Sequence, residues 1–66
     1  MLNNVKEIRT NNGMSQKDLA HMCNVSRQTI HSIESSKYQP TITLALKIAT
    51  VLQSSVEEVF ILEEED

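Results

Sequence analysis

Sixty-six residues with six Lys or Arg against nine Asp or Glu, a formal net charge of -3, leave room for one domain spanning residues 1–66, because so short a chain buries only about 60% of the surface it exposes when unfolded. That margin excludes a substrate cleft and catalytic groups built on top of a core, and no nucleophile, base and orienting group stand at workable spacing, so neither an enzyme nor a cofactor is expected. One cysteine, no apolar run near the roughly 18 residues of a membrane span and no signal-peptide pattern point to a soluble cytoplasmic protein without a disulfide or a membrane partner.

Hydroxyl residues ahead of apolar-periodic stretches mark where helices start. The first helix is expected from about Asn4 to Asn11, with Val5 and Ile8 inward and Gly13 supplying the left-handed residue that ends it. A second follows from Ser15 to about Met22, where Ser15 and Asp18 approximate a capping box. The third runs from Ser26 to about Ser35, burying Ile30 and Ile33 and turning Arg27, Gln28, His31 and Ser32 outward. After "SSKYQP", where Pro40 bars continuation, Thr43 is expected to open a fourth helix, "LALKIATVL". Its Leu44, Ala45, Ile48, Ala49 and Leu52 recur at helical spacing. Ser54 or Ser55 then caps a short fifth helix to about Val59, with Glu57 and Glu58 in its positive first turn. The following "VFIL" has nothing obvious left to pack against and reads as a short strand or a dimer contact through Phe60, Ile61 and Leu62. The fold class is therefore all-α with at most a small terminal β element.

Charge is unevenly spread. Glu57, Glu58, Glu63, Glu64, Glu65 and Asp66 crowd the last ten residues, whereas residues 1–56 hold six bases against three acids, a local charge of +3. Phosphates respond to the field within about 10 Å at 0.1 M salt. A basic body with its acidic tail, residues 63–66, held away from a polyanion is thus compatible with DNA binding.

Residues 15–35 fit the spacing of a helix-turn-helix. Ala20 is small where two helices would cross; Leu19, Cys23, Val25, Ile30 and Ile33 face inward; Asn24 occupies the position that must turn left-handed. Cys23 reads as a small buried hydrophobe, and His21 with Cys23 is no metal pair, since i and i+2 point to nearly opposite sides of a helix.

The segments "MSQKDLA", "VSRQTIHSIE", "KYQPTITLALKIA" and "SVEEVF" resemble, in order, the five-helix, lambda-repressor-like domain of the Cro/repressor-type regulators of phages and bacteria, also called the xenobiotic-response-element family. The resemblance implies that Gln16 bonds a phosphate, that Arg27, Gln28, His31 and Ser32 face the major groove with Ser26 and Thr29 at its margin, and that Lys37 and the backbone around Tyr38 meet phosphates on the far side. It also implies a structural ion pair between Arg9 and Glu34. Compact stand-alone members, such as the repressor of a bacterial cytolysin operon, pair a strand after the fifth helix with one at the N-terminus, which suggests "MLNN" with "FIL" here. Two positions depart from the family pattern: Asn24 stands where Gly is usual, and Ser36 replaces a turn glycine, which puts the loop carrying Lys37 in question. The function so implied is a nucleoid-associated repressor that binds a pseudo-palindromic operator in double-stranded DNA as a homodimer. An antitoxin or protein-interaction module on the same fold, with a toxin or regulatory protein as partner, is the alternative.

Overall fold

Four of the helices start on a hydroxyl. In the computed structural model, which describes all 66 residues, the Ser15, Ser26, Thr41 and Ser55 side chains accept the backbone N–H of Asp18, Thr29, Leu44 and Glu58 respectively. Two of these are reciprocal capping boxes, since the Asp18 and Glu58 carboxylates accept the N–H of Ser15 and Ser55 in return. The resulting order is β1 (Leu2–Asn3), α1 (Val5–Asn11), α2 (Gln16–Cys23), α3 (Arg27–Glu34), α4 (Ile42–Val51), α5 (Val56–Val59) and β2 (Phe60–Ile61). Five helices and one small sheet match the expected class.

Helix α4 begins earlier than expected. Thr41, not Thr43, is its cap, because Pro40 immediately before it blocks any helical turn upstream and the Thr41 hydroxyl lies 3.2 Å from the Leu44 nitrogen. Thr43 is an exposed residue inside the first turn.

The four longer helices share one ending. Gly13, Asn24, Ser36 and Gln53 all take a left-handed conformation, with φ of 70°, 63°, 62° and 56°. The residue after each turns its N–H back onto the last helical turn: Met14 to Arg9, Val25 to Ala20, Lys37 to Ser32 and Ser54 to Ala49, at 2.9–3.1 Å. This is the Schellman arrangement, which satisfies carbonyls a helix end would otherwise leave bare.

The core is continuous across the helices: Val5 from α1, Leu19, Ala20 and Cys23 from α2, Ile30 and Ile33 from α3, and Leu44, Ala45, Ile48, Ala49 and Leu52 from α4 and its end. Val59 and Phe60 complete it. The first half of "VFIL" therefore does find packing, and Phe60, expected at a dimer contact, is turned into the core of its own chain.

β1 and β2 pair antiparallel, Leu2 with Ile61 and Asn3 with Phe60. The asparagines around this pairing lock it. The Asn4 N–H donates to the Val59 carbonyl at 2.8 Å, its side-chain amide donates to the Glu58 carbonyl, and the Asn3 amide donates to the Ile33 carbonyl at 2.9 Å. The terminal sheet is thus anchored to the last turn of α3.

Candidate nucleic-acid interface

Burying Ile30 and Ile33 leaves one direction for the rest of α3. Arg27, Gln28 and His31 are exposed, Ser32 is half-buried, and Ser26 is exposed at the cap with its hydroxyl 3.0 Å from that of half-buried Thr29. Asn24 in its left-handed turn sets the angle between α2 and α3, and Ala20, 2% exposed, lets them approach closely. The first turn of α3 is thereby presented to solvent on a rigid support.

Arg9 anchors that support. Its guanidinium donates to both Glu34 carboxylate oxygens, at 2.7 and 3.2 Å, and to the Met14 carbonyl at 2.7 Å. The two side chains are only 8% and 5% exposed. A bidentate pair with a third donor satisfied is the geometry in which a buried charge pair is tolerated, and it ties α1 and the α1–α2 turn to the end of α3.

Gln16 extends this network to the surface, an arrangement the sequence did not reveal. Its amide nitrogen donates to Glu34 Oε1 at 3.0 Å and lies 3.5 Å from His31 Nδ1, while its carbonyl oxygen accepts from Arg27 Nη1 at 3.2 Å. A carboxylate can only accept, so the amide nitrogen must face Glu34 and the oxygen must face Arg27. Arg9, Glu34, Gln16 and Arg27 form one chain from the interior to the outward face of α3. Their separation in sequence hides it: only the fold brings these four side chains together.

Lys37 and Tyr38 are exposed on the loop after α3. Ser36 keeps the left-handed turn despite its side chain, so the loop retains the shape a glycine would give it. The acidic tail, expected to be held away from a polyanion, folds back on the body of the protein. The Met1 ammonium contacts Glu63 at 3.0 Å and Asp66 at 3.1 Å, and Glu63 lines a cleft with Ser36 and Tyr38. These bonds raise the pKa of the Met1 amine above its usual 8.0, and the N–H of Glu63 together with the Met1 ammonium lowers that of Asp66. Burial pushes the Cys23 thiol up, against a weaker downward pull from the Lys47 charge.

Ile61 and Leu62, 40% and 77% exposed, lie beside a second apolar feature that was not anticipated. Ile42, 71% exposed at the start of α4, shares an open groove of about 450 Å³ with Pro40, Val56 and Leu62. The signal for Ile42 was lost with the misplaced start of α4.

The helix-turn-helix family model matches residues 5–59. The HTH-type transcriptional regulator YgzD of Bacillus subtilis (strain 168) is 46% identical over 66 residues, 100% of both chains. Among solved structures, the restriction-modification controller protein C.AhdI from Aeromonas hydrophila superposes with a TM-score of 0.79 at 30% identity, covering 85% of each chain. The N-terminal DNA-binding domain of SinR from Bacillus subtilis superposes with a TM-score of 0.78 at 28% identity, covering 94% of this chain and 90% of that one.

Proposed function

This chain belongs to the helix-turn-helix family of DNA-binding transcriptional regulators, not to a family of enzymes, and from that premise we propose that it is a cytoplasmic repressor which binds a pseudo-palindromic operator as a homodimer. The observation that carries the reading is the outward turn of Arg27, Gln28 and His31 on a helix held from behind by the Arg9–Glu34 pair.

The chemistry follows from groove edges. Gln28 suits the N6 and N7 of an adenine and Arg27 the O6 and N7 of a guanine, each good pair giving about 1–3 kcal/mol of discrimination. Ser26, Thr29 and Ser32 border those contacts. Lys37 and the backbone at Tyr38 meet phosphates, which supply orientation and salt-dependent affinity. Gln16 acts at the same edge: it aims the Arg27 guanidinium, and its amide hydrogen directed at His31, in a long 3.5 Å contact, is the one that can turn to a phosphate.

So few reading residues specify only a handful of base pairs, so the reading requires a second copy, with half-sites about 34 Å apart or a multiple of that. Ile61 and Leu62, continued by Ile42 across the groove, are the apolar surface for it. Phe60 supports that surface from inside. Binding of the DNA flanking the gene, measured by band shift at two salt concentrations, tests the proposal. A two-fold symmetric site bound by the wild type and lost in Arg27→Ala with Gln28→Ala is the expected result; no binding at low salt by the folded protein would overturn it.

A further inference from the structure

Arg9 is the only basic side chain engaged in an ion pair; Lys6, Lys17, Arg27, Lys37 and Lys47 have no carboxylate partner. Of these, Lys47 is the only base on α4, and it stands in an unusual place. It borders a cleft of about 370 Å³ between the start of α3 and the start of α4, whose other polar walls are Asn24, Thr29, Tyr38, Thr41 and Thr43. No Asp or Glu lines that cleft. Thr29 and Tyr38 also belong to the surface assigned to DNA above, so the cleft adjoins that surface.

Resting on the DNA-binding reading, we propose that this cleft is a second phosphate subsite, with Lys47 as the cation that holds a backbone phosphodiester beyond the bases read by α3. The helix geometry aims the side chain there. Every Cα–Cβ bond of an α-helix tilts toward the helix N-terminus, so Lys47 extends back along α4 toward Thr43, one turn before it on the same edge. Lys47 also borders a neighbouring, more apolar groove that includes Met22, Cys23 and Leu46, a footing that suits its aliphatic stem with the ammonium outward. Tyr38 and Thr43 line the cleft beside it, and their hydroxyls are further donors suited to phosphate oxygens. Lys37 and Lys47 then grip the backbone from the two sides of the loop that joins α3 to α4.

The test is the dependence of binding on salt, because each phosphate neutralised contributes about 0.9 to the slope of log K against log salt, whatever the base sequence. A mixed-sequence DNA duplex and the duplex flanking the gene are titrated with wild type, Lys47→Gln, Lys47→Arg and Arg27→Ala. For Lys47→Gln the slope is expected to fall by about 0.9 on both duplexes, with binding weakened about tenfold at 0.1 M salt. Lys47→Arg should keep the wild-type slope, and Arg27→Ala should mainly erase the preference for the flanking duplex. Because Lys47 is exposed, both Lys47 variants are expected to melt with the wild type. Wild-type slopes in Lys47→Gln would overturn the subsite while leaving the DNA reading intact; failure of the wild type to bind either duplex at low salt would overturn both.

Discussion

Ser36 shows how much a single backbone angle decides. A non-glycine residue in the left-handed region costs about 1–2 kcal/mol, and glycine there avoids the clash at some cost in chain entropy. With φ at 62°, Ser36→Gly is expected to stabilise the fold by about 0.5–1 kcal/mol, read as a rise of a few degrees in Tm. Gly13→Ala is the converse: nothing lies within 4 Å of the added Cβ, so its loss, about 1 kcal/mol by the same melt, would be backbone strain alone. If both variants melted with the wild type, left-handed strain would not be what these turns carry. The sequence announced Asn24, because Asn tolerates this conformation, but it misjudged Ser36, where the hydrogen bond from Lys37 to Ser32 outweighs the side chain's preference. Gln16 was placed correctly at the start of α2, yet its bonds to Glu34 and Arg27 could not be foreseen from spacing.

At the scale of elements, helix ends were legible wherever one hydroxyl stood ahead of an apolar repeat and ambiguous where two did, as with Thr41 and Thr43. The capping boxes make the fold sensitive to acid. The N–H of Ser15 lowers the pKa of Asp18 below its usual 3.8, and that of Ser55 lowers Glu58 below its usual 4.5. Groups depressed on folding contribute fully above their unfolded values and lose that contribution as pH falls through their folded ones. Tm should therefore decline below about pH 5, and Asp18→Asn with Glu58→Gln should flatten the decline. The Met1 ammonium acts in the opposite sense: raised above 8.0, it stabilises below that pH and ceases to as pH climbs past its folded value. The helix-to-helix pair is stronger. Glu34→Gln leaves the Arg9 charge buried and unpaired, a loss of about 3–5 kcal/mol, in a chain whose whole stability is on the order of 3–10 kcal/mol. Urea unfolding should show a much lower midpoint, and adding Arg9→Met should recover part of the loss.

The whole molecule, with extents of 31 × 20 × 19 Å, is short of or near one turn of duplex in every direction, so a single copy covers one half-site and a pair covers an operator. Truncation of residues 61–66 removes Ile61 and Leu62 from the apolar face and should raise the dimer dissociation constant at least tenfold by sedimentation, whereas an unchanged constant would move the interface elsewhere. Five helices in order could be read from capping and periodicity. The pairing of the sheet could not: "VFIL" suggested a short strand, but two-residue strands carry no alternation, and "MLNN" as its partner came only from likeness to compact family members. The inward turn of Phe60 was likewise invisible, because its environment is assembled from both ends of the chain.

That pairing also bears on the order of events in folding. α2 and α3, neighbours in sequence, pack directly on each other through contacts that form early, whereas Leu2 meets Ile61 only after the ends of the chain have been brought together. The sheet is therefore expected to close last. Weakening it at Asn3, which spans from β1 to the Ile33 carbonyl, should leave the refolding rate nearly unchanged and speed unfolding, and amide exchange should find the two chain ends opening well before the helices do.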